Sequence, residues 1–350
     1  MKTRSLALDM ALSAIILLFS CWPSPCQVPP PQAPAATGAS AVSDSLAKAL
    51  MTRFKAPAAL LVVREGKALA EWYATGKGPA DRIPLNATAM IVSAALFGTA
   101  LQQGFIPSAD AKIEEVIGKL RSGDDRFHAL TFRNFLDNTT GLSGYEECWW
   151  SGDAIKYAYK SRMGHVPGEF WVPASEDFLF VTEVIALKAN MTIEAYARRY
   201  LLEPLGITDF PPLSDREGYY MGWGAIGLRA GDLAKVASLF LDDGLYQGKR
   251  LLPPGFGAEA LSIQAAIPED RRPARRIEGM GYWWYVLGGP APAPCVSAGF
   301  GGSLDDALQL LVYVEPKTRT VVIIWVPDAD SSSSQDDYIG FVEGRILPAL

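Results

Sequence analysis

Histidine is almost missing from this chain. His128 and His165 are the two in 350 residues. They stand far apart, in loop-like surroundings, and neither falls at a metal-ligand spacing. The four cysteines, Cys21, Cys26, Cys148 and Cys295, make no C-x-x-C pair, which argues against a zinc site. No metal and no cofactor is expected. A long basic run is also lacking: the formal charge is -6 and the pI about 5.2, so nucleic acid is not an expected partner. The local exception, Arg271-Arg272-Pro273-Ala274-Arg275-Arg276, follows Pro268-Glu269-Asp270 and reads as a solvated loop. No internal repeat is visible.

What is present is apolar bulk. Hydrophobic residues make up 49% of the chain, ample for a large core in one two-lobed unit or two domains. Residues 1–20 read as a signal peptide. Lys2 and Arg4 make a basic start, and residues 11–19 form an apolar stretch too short to span a bilayer with margin. Leu18-Phe19-Ser20-Cys21 resembles a bacterial lipoprotein cleavage box, in which Cys21 becomes the lipidated first residue; ordinary secretion with cleavage nearby is the alternative. Residues 21–42, Pro- and Ala-rich with Pro29-Pro30-Pro31, read as an extended tether. The expected location is therefore the periplasm, with lipid anchorage as the membrane contact. In an oxidising compartment a Cys148–Cys295 bridge is one reading; two separate buried thiols is the other.

The remaining residues, 43–350, read as one α+β domain. Residues 43–54 suit an amphipathic helix. Residues 58–63 and 68–73 suit two strands joined at Arg64-Glu65-Gly66-Lys67, a hairpin. From Asn86 to Gln103 runs a helix apolar on every face, which belongs in a large core or a membrane; the tight loop before it and the globular chain after it favour the core. Asparagine is a good helix N-cap, and that is the structural reading of Asn86. Further helices are expected at 108–120 (capped by Ser108), 178–189, 192–202, 232–241 and 337–346. Strands are expected at 282–287, 308–315 and 320–326. A hairpin first, helices in the middle, strands and a helix last imply an antiparallel sheet flanked by helices, with a helical lobe of roughly 84–240 inserted.

Several motifs in this order carry a resemblance. Thr131-Phe132-Arg133-Asn134-Phe135-Leu136 with Thr139-Thr140-Gly141-Leu142 is similar to an I-R-x-L-L-x-x-T-S-G-L segment. Glu203-Pro204-Leu205-Gly206-Ile207-Thr208-Asp209 follows E-P-L-G-M-x-D. Gly224-Ala225-Ile226-Gly227-Leu228-Arg229 with Asp232-Leu233-Ala234 follows G-G-L-x-x-x-x-D-L-A. Asp243-Gly244 with Gly248-Lys249-Arg250-Leu251-Leu252 follows G-G-x-x-x-G-K-x-L-L. Gly281-Tyr282-Trp283-Trp284 and Gly299-Phe300-Gly301-Gly302 complete the set. Together these resemble the serine β-lactamase and penicillin-binding-protein superfamily, most closely the class C-like esterases, peptidases and amide hydrolases. The resemblance implies a β-lactamase/transpeptidase-like fold and a site built from three motifs.

Those three motifs are degenerate here. In the superfamily a serine at a helix N-terminus attacks a carbonyl, and a lysine one turn later takes its proton. The matching residues are Asn86 and Ala89, or, one residue later, Ala87 and Met90. The Tyr-x-Asn motif maps after Pro167-Gly168, on Pro173-Ala174-Ser175, and no Tyr-x-Asn occurs in the chain. The third motif, Lys-Thr-Gly or His-x-Gly, maps on Ser297-Ala298-Gly299, with no basic residue. The single Ser-x-x-Lys, Ser45-Leu46-Ala47-Lys48, precedes the first strand and reads as a helix start with a solvated lysine. Thr88, Tyr145, Trp171 and Phe300 are candidate pocket residues, with Trp149, Trp150 and Phe170 as further aromatics near the mouth and covering of the helical lobe as their plainer role. The acidic doublets read as solvated turns, Glu146-Glu147 included, although it borders the expected pocket.

Three functions compete. The first is an inactive hydrolase-like envelope protein that binds a small molecule or cell-envelope ligand through the relict cleft. The second is an active serine hydrolase with a rearranged nucleophile, drawn from Thr88, Ser93 or Ser297. The third is a structural envelope protein with a closed cleft.

Overall fold

A computed structural model of the chain describes residues 41–119, 123–144, 148, 153–174, 176–210, 212, 227–300, 308–329 and 332–350, with only the backbone of Gly299 and Phe300. The signal, the tether up to Ser40, Tyr145, Trp149, Trp150, Ser175, Gly224, Gly301 and Gly302 lie outside the described residues.

The fold starts from a tight turn. Glu65 and Gly66 both take positive φ, 49° and 74°, the left-handed geometry of a two-residue hairpin loop that matches strand twist. It joins β1 (Ala59–Arg64) to β2 (Lys67–Tyr73). At the far end of the chain, β13 (Leu308–Glu315) and β14 (Thr320–Trp325) form a second hairpin. The two hairpins meet: β1 pairs antiparallel with β14, from Ala59 opposite Trp325 to Arg64 opposite Thr320. With β9 (Ala265–Ala266), β10 (Ile277–Met280), β11 (Tyr285–Leu287) and β12 (Cys295–Phe300) they make an eight-stranded sheet, in the order β2-β1-β14-β13-β12-β11-β10-β9, antiparallel at each pairing. Three two-stranded ladders complete the strands: β3 (Arg82–Pro84) with β6 (Gly227–Arg229), β4 (Leu142–Ser143) with β5 (Arg162–Met163), and β7 (Leu245–Tyr246) with β8 (Lys249–Arg250).

Every residue of β14 is buried. An antiparallel strand apolar on both sides needs cover on both faces. On one side lie α1 (Ala41–Arg53) and α10 (Gln335–Phe341). The Phe54 ring stacks on Tyr338 at 4.0 Å, Arg53 pairs with Asp337, and the Ser43 hydroxyl accepts the Glu71 N–H of β2 at 3.2 Å. Against β14, β1 and β13 also lies α8 (Ala230–Leu241). It carries the helical lobe, whose axis is α2 (Ala89–Gln102), packed on α6 (Glu176–Ala189) and α8. All residues from Ala89 to Ala100 are buried, so the all-round apolar pattern is that of a core helix. The remaining helices are α3 (Ile113–Ile117), α4 (Phe132–Leu136), α5 (Ala154–Lys160), α7 (Ile193–Ala197) and α9 (Phe256–Ala260).

Some expectations shift. The helix expected over 108–120 shrinks to α3, with Lys112 and not Ser108 at its N-cap. Lys112 bridges to Thr131 and the Ile113 N–H bonds Leu130 O at 3.0 Å, so the chain before α3 is committed to a neighbour. Gly118, at φ 85°, ends it. The strand expected from 282 starts at Tyr285, because Trp283 takes a positive φ of 58° and its indole N–H donates to Phe135 O at 3.0 Å. Cys148 and Cys295 are both free and buried, not bridged.

Close helix packing makes one glycine irreplaceable. A Cβ on Gly257 in α9 would sit 2.1 Å from Phe240 O at the end of α8. Gly257→Ala should destabilise the fold by at least about 1–3 kcal/mol, the cost of overpacking a filled core, read as a lower urea midpoint with unchanged m.

Candidate functional site

The first position of the site is the entry to α2. Asn86 has φ +47° and opens a 3-10 turn, Asn86–Thr88, that runs into the helix. Its side chain does not cap the turn or the helix, which corrects the N-cap expectation. Instead Nδ2 donates to Oε1 of Gln309 on β13, 3.1 Å away. A left-handed residue points its side chain away from the N–H groups that follow it, and the buried amide is satisfied across the lobe boundary. Ala89 is fully buried, whereas Asn86 and Met90 keep 7% and 8% exposure. A side chain at position 89 therefore faces the core, and position 90 lies nearer the open side. Neither residue is basic.

The second element is β12, which packs against the 3-10 turn. Ser297 stands opposite Val312, and Gly299 opposite Leu310, with a register shift before Phe300. The hydroxyls of Ser297 and Thr88 are both buried without a hydrogen-bond partner among the described residues. Ser93 bonds back to Ala89 O at 3.4 Å within α2. Ser45 and Lys48 lie exposed on α1.

The third element is a strap of two adjacent segments, 137–141 and 164–174. Gly164 N–H donates to Gly141 O (2.7 Å), Gly168 N–H to Thr139 O (2.8 Å) and Val172 N–H to Asn138 O (2.9 Å). Asn138 Nδ2 donates to Ala174 O (2.8 Å) and to Asp177 Oδ2 (3.0 Å). Gly141 is required: at φ +71° its Cβ would lie 2.5 Å from His165 O. Pro173 is exposed on this strap and offers no hydroxyl. Trp171, expected at the pocket mouth, is buried, its indole N–H on Met280 Sδ at 3.4 Å. It is a packing residue because β10 closes over it. Phe170 is 48% exposed and lies against His165, ring centroids 4.7 Å apart.

Near the strap lie an arginine hub and two buried carboxyls. Arg133 donates to Asp110 (2.6 and 2.9 Å), Glu259 (2.9 Å), Gln264 (2.7 Å) and Tyr282 (2.7 Å), tying the helical lobe to the sheet end. Burial pushes the Asp137 carboxyl up to about 6, against the Thr139 hydroxyl that donates to it at 2.6 Å. Burial likewise pushes Glu183 up to about 7, although it accepts the Ile155 N–H at 3.1 Å. Cys148 is pushed up to about 12 by burial and by the carboxylates of Glu176 and Glu183, so its sulfur stays a thiol. Burial also pushes Cys295 up, and its thiol donates to Leu261 O at 3.3 Å. His128 is paired with Glu114 at 2.5 Å. Among the described residues no three His, Cys, Asp or Glu side chains group as a metal site would need, and no helix is long and apolar enough to cross a membrane.

The structure thus brings together Asn86, Thr88, Ala89, Ser297 and Gly299, and places Pro173 on a separate strap. Tyr145 and Ser175 lie outside the described residues, as does the Phe300 side chain. Gln309 was not foreseen: nothing in the sequence marks a glutamine 223 positions away as the partner of Asn86.

No protein-family model matches the chain, and no curated protein matches it in sequence. Solved structures do match in shape. A protein described as a 6-aminohexanoate-dimer hydrolase from Bacillus anthracis superposes with a TM-score of 0.66 at 14% identity, over 87% of this chain and 81% of that one. A β-lactamase from Mycobacterium bovis gives 0.59 at 16% identity, over 85% and 98%. EstCE1, a hydrolase with promiscuous acyltransferase activity, gives 0.63 at 12% identity, over 88% and 97%. At these identities the likeness is one of fold: the chain has the α+β fold of the β-lactamases and penicillin-binding proteins.

The two raised carboxyls set a pH dependence. Asp137 and Glu183 bind their protons more tightly folded than unfolded, so between the ordinary carboxyl range and about 6 or 7 the native state holds more protons than the unfolded chain. Their contribution to stability is then lost as pH rises through that window. Urea unfolding followed from about pH 4 to about pH 8 should show this fall, and Asp137→Asn with Glu183→Gln should flatten it.

Proposed function

We propose that this chain is a β-lactamase-fold protein without serine-hydrolase activity, exported to the bacterial envelope and binding a small molecule or cell-envelope ligand through its relict cleft. The observation that carries the reading is the start of α2. Asn86 there is engaged with Gln309, and no lysine stands one turn on in either register. A hydroxyl without a neighbouring base is a poor nucleophile, and the Thr88 and Ser297 hydroxyls have no hydrogen-bond partner among the described residues. Hydrolase and acyltransferase chemistry, named for several neighbours of this fold, would lack its serine–lysine pair at the start of α2.

Ligand binding needs less. The head of the 3-10 turn, which no side chain caps, lies next to β12 and suits a carbonyl or carboxylate. Anchorage would come from a lipid on Cys21, since a single lipid set on a tether holds a domain beside a membrane. Mass spectrometry of the mature N-terminus decides this, a non-acylated terminus elsewhere removing the anchor.

A second reading, a closed cleft with a structural role, draws on burial: Asn86, Thr88, Ala89, Met90, Ser297 and Trp171 are all at most 8% exposed. Ligand titration separates it from the first, because a closed centre binds nothing.

Purified protein is expected to form no covalent adduct with penicillins or fluorophosphonates and to show no esterase turnover above background. Asn86→Ser with Ala89→Lys, and Ala87→Ser with Met90→Lys, should both stay inactive. Nucleophile, base and relay act as a unit, and restoring part of such a unit recovers little of its several orders of magnitude. An acyl-enzyme on the unmodified protein, mapped to Thr88, Ser93 or Ser297, would overturn the inactive reading and establish a rearranged hydrolase.

A further inference from the structure

Two arginines face each other where like charges should not. On the β3–β6 ladder Arg82 is the register partner of Arg229, and partners directly opposite project from the same face. The pattern confirms it: Ile83 and Leu228 between them are buried, while Arg82 and Arg229 keep 41% and 37% side-chain exposure. Like charges so placed destabilise a ladder. Arg229 bears a second penalty, because it stands at the N-cap of the 12-residue helix α8, where a cation opposes the helix macrodipole.

One carboxylate answers both. Asp209, at the end of the Glu203-Pro204-Leu205-Gly206-Ile207-Thr208-Asp209 turn, accepts from Arg82 Nη2 with one oxygen and from Arg229 Nη2 with the other. That leaves two cations on one anion. It also leaves Arg229 Nε buried without a hydrogen-bond partner among the described residues, where the bond of Arg82 uses Nη2 alone. Among the described residues the carboxylates beside the two arginines in sequence are otherwise engaged: Asp81 accepts the Gly78 N–H at 2.7 Å, and Asp232 pairs with Lys235 at 2.7 Å.

We propose that Arg82 and Arg229 form an anion-binding site for a phosphate group, supplied by a phospholipid headgroup or by free phosphate. Guanidinium forks match phosphate oxygens in pairs. A tetrahedral phosphate offers oxygens to both forks at once, while Asp209 holds the two side chains in place from the other side. The bound anion removes the cross-strand repulsion and adds negative charge at the head of α8. A lysine pair would supply the charge without the forks.

The test uses the full chain. Its melting temperature is followed with inorganic phosphate against chloride at equal ionic strength, and its sedimentation with phosphatidylglycerol against phosphatidylcholine vesicles. Arg82→Gln and Arg229→Gln should each weaken binding by about tenfold or more, the loss of a charge-assisted hydrogen bond. Arg82→Lys, which preserves the charge and the ladder, should fall between. Asp209→Asn should bind more tightly, since it removes the competing carboxylate. Response to vesicles without response to inorganic phosphate assigns the site to a membrane headgroup; the converse assigns it to free phosphate. Binding of neither, or binding that Arg82→Gln, Arg82→Lys and Arg229→Gln all leave at the wild-type level, overturns the proposal.

Discussion

The pairing of β1 with β14 is the constraint on which the molecule depends. It joins residues 59–64 to residues 320–325, so the helical lobe becomes an excursion between two halves of one sheet. Closing so long a loop costs chain entropy before any contact repays it. The repayment is concentrated in strands without a polar side: β14 is buried throughout, and β1 is buried over its first four residues. Once the sheet is closed, α8 lies on it, α2 lies on α8, and the 3-10 turn at Asn86 comes to rest on β12 and β13. The candidate site is a consequence of that stacking order.

At this site a polar pair that holds structure stands where the fold elsewhere places chemistry. Asn86 donates to Gln309 across the boundary between lobes, and an amide is neither nucleophile nor base. The backbone keeps the left-handed entry at Asn86, a conformation that asparagine tolerates better than most residues. The stability of the scaffold comes from apolar burial in α2 and the sheet, and from the Arg133 network that ties the lobes together. The proposed phosphate site uses other residues, at the head of α8, and is independent of whether the cleft binds anything.

Much of the fold was legible. The hairpin tip at Glu65-Gly66, the last two strands and the central buried helix are local signals: turn chemistry, β-branched runs and an unbroken apolar stretch. The order of the family-like motifs added the architecture. Misreadings fell where tertiary contacts override local preference. Ser108 did not cap a helix because the next residues pair with 130–131. Trp283 delayed a strand because its indole was needed at Phe135 O. Trp171 was read as a pocket aromatic, and Met280 covers it. Each partner lies far away in sequence, where no local pattern can announce it.

What the sequence determined by itself is composition of the site: no Tyr-x-Asn, no serine–lysine pair at the start of the buried helix, no base before Gly299. Those absences are properties of residue identity and need no coordinates. Only the tertiary structure decided geometry. It turned Asn86 from a cap into a bridge to Gln309, enclosed the hydroxyls of Thr88 and Ser297, and set Arg82 opposite Arg229 over one carboxylate. The physical reason is that hydrogen bonds and ion pairs reach only a few ångström, and which distant residues come within that reach is settled by how the sheet and helices pack.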